Sequence, residues 1–233
     1  METENTKRKK YELKDPDSTT VEEPLLCYGN AVLDLDETKR YTYADYLTWW
    51  DDKRRELING FIRMMLPAAS TRHASISGEL VYIIKSFIKK NKGKCKLFDA
   101  PFDVRLPNKK GETADDKVHT VVQPDICLIC DPSKLDERGC VGTPDLVIEI
   151  ASKSNRRYDE TEKLETYESA GVPEYWIVSP KEEAVTVYLL QSNGKYAQGI
   201  KYELDAKVPV HALKGLEINL EEIFGEFSSS SYY

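Results

Sequence analysis

Apolar residues recur three or four positions apart between about 74 and 91 (Ile76, Leu80, Ile83, Ile84, Phe87, Ile88), with Lys85, Lys89 and Lys90 on the other side. This spacing predicts an amphipathic helix. Elsewhere the apolar residues gather into short runs between turn formers, predicting strands at 102–106, 121–130, 144–150, 174–178, 185–190 and 201–204. Glu56 to Met64 reads as a hairpin around Asn59-Gly60, a dipeptide that favours the tight turn matching strand twist. A short helix is expected at Tyr43–Trp50. A second helix is expected from Asp159, which can cap it with Glu162 completing a capping box, and it should end before Gly171. The order predicts an α+β (α/β) protein: a mixed sheet flanked by helices, with an extra N-terminal hairpin and C-terminal strands.

Composition adds boundaries. The chain has 233 residues, 40% hydrophobic and 31% charged, enough apolar surface for a globular core and too much for a disordered chain. Residues 1–38 mix charge, Pro and Thr without periodicity and read as a leader, flexible or draped on the surface. Residues 39–227 read as one domain and 228–233 as a Ser/Tyr tail. The apolar run Leu80–Ile84 stops at Lys85, far short of the roughly 20 residues of a membrane span. No secretory stretch follows Lys7–Lys10, so a cytoplasmic address is expected. Five cysteines (Cys27, Cys95, Cys127, Cys130, Cys140) at irregular spacing predict reduced thiols with no disulfide partner. Cys127 and Cys130 could complete a zinc set with Cys140 and His119. Residues three apart in a strand point to opposite faces, however, which favours two small core residues.

The chemistry lies in two strands that begin alike, Pro124-Asp125 and Pro144-Asp145. Asp145 and Glu149 share a strand face but stand about 13 Å apart at roughly 3.3 Å per residue, so they cannot hold one ion, and Asp145 reads as structural. If the two strands pair antiparallel about a turn centred near residue 137, positions summing to about 274 face each other, and Asp125 meets Glu149. Two carboxylates about 5 Å apart at Cβ repel unless one is protonated or a cation lies between them, and a hard divalent ion suits such oxygens. A register shifted by two would instead send both acids to solvent. Lys163, one turn into the second helix and on the side of Tyr167, can reach back to that pair. It can equally form a helical ion pair with Glu160 or Glu162.

The run Pro144–Ser152, then Tyr158-Asp159, Lys163, Tyr167 and Ala170–Val178, resembles the Uma-type family of putative restriction endonucleases, formerly a domain of unknown function, in the PD-(D/E)XK nuclease superfamily. The similarity reaches upstream through Glu56–Gly60, Pro67, Ser70, His73 and Pro124-Asp125, and downstream to Gly215–Ile218. The resemblance implies a restriction-endonuclease-like core and hydrolysis of DNA phosphodiesters with Mg²⁺, for which Mn²⁺ can substitute. It makes Asp125 and Glu149 the metal ligands. Where the signature lysine normally stands, two residues after Glu149, this chain has Ala151, which points to Lys163 with Lys153 as fallback. Glu56 and His73 match auxiliary positions, and each could equally be a cap or a buried hydrogen-bonded side chain.

With 33 basic against 40 acidic residues the net charge is −7, which argues against tight, sequence-blind DNA binding by the surface as a whole. Basic residues do concentrate between Lys85 and Lys110, Lys89 and Lys92 among them, and Arg156 and Arg157 follow the acidic strand. These are candidate nucleic-acid contacts or a solvated face. A metal-dependent endonuclease is the first expectation. The alternatives are an inactive nuclease-fold DNA-binding or assembly module and a metal-dependent phosphoesterase on small substrates. A homodimer is expected from the superfamily, since cutting both strands favours two-fold symmetry.

Overall fold

Asn59 and Gly60 both hold positive φ (53° and 86°), the backbone of the tight turn that the Asn-Gly pair predicts. They join β1 (Arg55–Ile58) to β2 (Phe61–Met64). The computed structural model describes residues 33, 35–51, 53–65, 70–108, 111–152 and 159–225. These belong to one unit, Leu33–Tyr233. The leader up to residue 32 and the tail at 228–233 lie outside the described residues.

A short helix α1 (Tyr43–Tyr46) is closed by a capping box between Thr42 and Asp45, and the long amphipathic helix α2 (Thr71–Lys90) starts at a Ser70 cap. The strands that follow are β3 (Lys96–Asp99), β4 (Val104–Arg105), β5 (Val121–Val122), β6 (Ile126–Ile129), β7 (Leu135–Asp136), β8 (Gly139–Val141) and β9 (Leu146–Ile150). A π-turn at Asp159–Lys163 leads into α3 (Leu164–Ala170). Then come β10 (Glu174–Ser179), β11 (Ala184–Leu189), β12 (Ile200–Tyr202), β13 (Lys207–Pro209), β14 (Glu217–Asn219) and α4 (Leu220–Phe224). Gly171 ends α3 in the left-handed conformation (φ 80°), as its position predicts.

In place of one mixed sheet there are two of six strands, ordered β2-β1-β5-β4-β8-β7 and β12-β11-β10-β9-β6-β3, with β13-β14 apart. The apolar run 121–130 explains the difference. Pro124 cannot donate to a ladder, so the run breaks into β5 in the first sheet and β6 in the second. The central strands of the second sheet, β6, β9 and β10, are buried on both faces. Ile126, Leu128, Leu146 and Ile148 pack under α2 and α4, while Cys127, Ile129, Val147 and Tyr175 pack with α3 and residues of the first sheet. Burial on both faces is why these strands read as continuous apolar runs.

The expectation of reduced thiols needs correction. Cys95 and Cys130 form a disulfide, because they are the next pair beyond Lys96↔Ile129 in the antiparallel β3–β6 ladder. That pairing spans 35 residues and requires knowing which strands are neighbours. Cys127 and Cys140 are buried thiols, and burial pushes that of Cys140 up to about 12 and that of Cys127 further. Cys127 and Cys130 do face opposite cores. Among the described residues no helix is long and apolar enough to cross a membrane.

Arg105, 1% exposed, pairs with Asp136 and lies 4.9 Å from the centroid of the Tyr43 ring. The guanidinium holds the Asp136 carboxyl below its ordinary value of 3.8. A depressed folded-state value contributes stability above the ordinary one, lost as pH falls through the lowered one. Asp136→Asn should cost about 2 kcal/mol at pH 7, discounted from the buried-pair range because the carboxylate is half-exposed. In urea unfolding at several pH values, that deficit should shrink once pH drops below 3.8. A deficit that stays constant with pH would remove the ion pair as its cause.

Candidate active site

The break between β5 and β6 leaves backbone amides without ladder partners, and carboxylates take them up. Gln123 N donates to Glu56 Oε1 at 2.8 Å, and Asp125 N to Glu149 Oε2 at a long 3.5 Å. Ile150 N donates to Asp125 Oδ2 at 2.7 Å. β6 and β9 pair antiparallel with Ile126 opposite Ile148, so the next pair outward is Asp125 and Glu149. This is the register that a turn centred near residue 137 predicts.

Four elements converge there. β1 supplies Glu56, the start of β6 supplies Asp125, β9 supplies Glu149, and the π-turn entering α3 supplies Lys163. Lys163 Nζ lies 2.7 Å from Glu149 Oε1 and 3.2 Å from Glu56 Oε1. The three side chains are 5%, 4% and 3% exposed, in that order. In such surroundings each charge needs the others, since desolvating a lone ion costs several kcal/mol. His73 Nε2, in the first turn of α2, lies 3.1 Å from Asp125 Oδ2, and these two side chains are more open to solvent.

Of the two helical ion pairs open to Lys163, the one with Glu162 does not form, and the Glu160 side chain lies outside the described residues. Glu162 turns to Arg63 on β2 at 2.9 Å, and Arg63 stands directly opposite Glu56 in the hairpin register. The hairpin therefore holds two consecutive residues of the π-turn, Glu162 through Arg63 and Lys163 through Glu56. The π-turn also replaces the regular helical start expected at Asp159.

Sequence reasoning assigned Tyr167 no task. Its fully buried hydroxyl donates to Glu149 Oε1 at 2.8 Å, the oxygen that Lys163 also approaches. Burial, with Glu149 and Glu56 nearby, pushes the phenol well above its usual 10.0, so it remains a proton donor throughout the physiological range. Two donors on Oε1 leave Oε2 directed toward Asp125. The available signal was the i, i+4 spacing from Lys163, which places both on one helix face. Tyr167→Phe should cost about 1 kcal/mol in thermal unfolding and weaken Mn²⁺ binding several-fold by calorimetry. Unchanged metal affinity would mean that the hydroxyl does not orient Glu149.

Asp145 lies away from this cluster, accepting Cys130 N at 2.7 Å as a strand-end cap. Lys89 and Lys92 are not brought to it either. They sit at the other end of α2, and 16 residues of helix from His73 to Lys89 span about 24 Å at 1.5 Å per residue. Lys153, Arg156 and Arg157 lie outside the described residues.

Asp125 and Glu149 suit a hard divalent cation. Asp125 Oδ1 accepts no hydrogen bond from the described residues, and Glu149 Oε2 faces it across the strand pair. No group of three His, Cys, Asp or Glu among the described residues forms a complete ion cage. Mg²⁺ does not need one, since it keeps several waters and takes one or two carboxylates together with substrate phosphate oxygens.

A family model described as "Putative restriction endonuclease" matches residues 43–221. A crystal structure from Anabaena variabilis, described as a putative nuclease belonging to DUF820, aligns with a TM-score of 0.62 at 23% identity. The alignment covers 79% of this chain and 97% of that one. The likeness extends to the fold. No curated protein matches the chain.

Proposed function

The chain belongs to the Uma2 family of restriction-endonuclease-like proteins, and we propose that it is a metal-dependent endonuclease hydrolysing DNA phosphodiester bonds. The observation that carries this reading is the meeting of Asp125, Glu149 and Lys163, from three separate elements, at one end of the β6–β9 pair inside the second sheet. Asp125 and Glu149 would hold Mg²⁺ or Mn²⁺. A divalent ion held there supplies a Lewis acid for the phosphate and lowers the pKa of an attacking water.

Lys163 stands in for the lysine replaced by Ala151. Its Nζ, fixed by two buried carboxylates, is a preorganised donor for the attacking water and for charge developing on the phosphate. Glu56 keeps that ammonium in place and acts through it. Tyr167 orients Glu149, and His73 orients Asp125 or meets a phosphate oxygen at the open side of the site. The proposal includes a homodimer, whose two sites could address both strands.

The test is a Mg²⁺ and Mn²⁺ titration by calorimetry, with the same protein then incubated with supercoiled and single-stranded DNA. Metal binding at millimolar concentration or tighter, with metal-dependent nicking, supports the nuclease. Metal binding with activity only on small phosphate esters makes it a phosphoesterase. Neither metal binding nor cleavage leaves a nuclease fold kept for binding or assembly, the reading that Ala151 and the charge of −7 favour.

A further inference from the structure

Between Lys85 and Lys96 the chain carries six lysines and no acidic residue, in a protein whose net charge is −7. Four of them, Lys85, Lys89, Lys92 and Lys96, line a cleft of about 380 Å³ between the end of α2 and β3, together with Ile88 and Leu97. All four lysines are exposed. Lys85 reaches Asp99 at 3.3 Å, while Lys89, Lys92 and Lys96 have no carboxylate partner among the described residues.

Ordinary structural needs account for part of this. Lys89 and Lys90 in the last turn complement the helix dipole, but that effect fades within a turn and does not extend to Lys92, Lys94 or Lys96. One lysine would suffice to guard β3, the edge of its sheet, against unwanted pairing. Converging like charges around a concavity cost energy unless an anion enters it.

We propose that this cleft is a second nucleic-acid site, which holds the phosphate backbone of a duplex away from the point of cleavage. It deepens the nuclease reading by separating two tasks, anchoring at the lysine cleft and chemistry at Asp125 and Glu149. The roughly 24 Å of α2 between them corresponds to about seven base pairs at 3.4 Å each. The substrate is therefore a duplex with a flank of at least that length.

The experiment measures binding of fluorescent duplex DNA in EDTA, where no metal-dependent cleavage occurs, between 50 and 200 mM KCl. It compares the full chain with a Lys89→Gln, Lys92→Gln, Lys96→Gln variant, whose substitutions are all exposed. The expected result is a loss of tenfold or more on a 30-base-pair duplex, with the log–log salt slope shallower by about 2 to 3. Equal affinity and slope on the long duplex, or no duplex binding by the full chain, overturns the proposal.

Plasmid cleavage in Mn²⁺ separates the two readings. Unchanged long-duplex binding by the variant with normal cleavage defeats the cleft alone. Lost binding, in a chain that never cleaves, defeats the nuclease and leaves the cleft standing.

Discussion

Lys163→Met is expected to lose about 3–5 kcal/mol of folding stability, the range for removing one partner from a buried ion cluster. Methionine keeps the aliphatic volume of the stem, so the loss reports charge more than packing. What remains is Glu56 and Glu149, 3% and 4% exposed, facing each other without the ammonium between them. Urea unfolding at neutral pH measures the cost. The same variant should bind Mn²⁺ at least as tightly as the parent, because a competing cation has left Glu149, yet cleave DNA roughly a hundredfold more slowly. Loss of metal binding together with cleavage would mean that Lys163 only builds the site. A stability change below about 1 kcal/mol would mean that the cluster is not closed in solution.

Asp125→Asn and Glu149→Gln, near-isosteric changes, should each reduce metal-dependent cleavage by about a thousandfold or more and abolish the calorimetric metal signal. Folding is expected to survive, since Lys163 keeps Glu56 and the amide oxygen introduced at position 125 can still accept Ile150 N. Asp145→Asn, one residue before the strand of Glu149 and tied to Cys130 N, is the control and should leave cleavage unchanged. If it proves as damaging as the other two, the assignment of ligands along β9 is wrong.

Some of this arrangement can be read from one dimension. The facing of Asp125 and Glu149 follows from a turn midpoint and the two-residue period of strands, because a slip by one residue would turn Glu149 into the apolar core under α2 and α4. The Asn-Gly hairpin, the α2 periodicity and the stop at Gly171 are local signals, and they hold. Three other features depend on which elements become neighbours. The division into two sheets is hidden because Val121–Val122 and Ile126–Ile129 are equally apolar, and only Pro124 marks the break. Tyr167 looks like any core aromatic until Glu149 lies beneath its hydroxyl. The Cys95–Cys130 bond needs the β3–β6 pairing, and the fate of the basic residues depends on which end of α2 meets the acids.

The break at Pro124 also bears on the birth of the protein. A chain leaving the ribosome presents Glu56 first, then Asp125 and Glu149, and only later Lys163 and Tyr167. β10, β11 and β12, half of the second sheet, come later still. Because β5 and β6 tie the two sheets together at the acids, neither sheet can settle the site alone, and its closing contacts are long-range events that folding reaches late. An unfinished chain thus carries the acids of the proposed site without the ammonium that organises them.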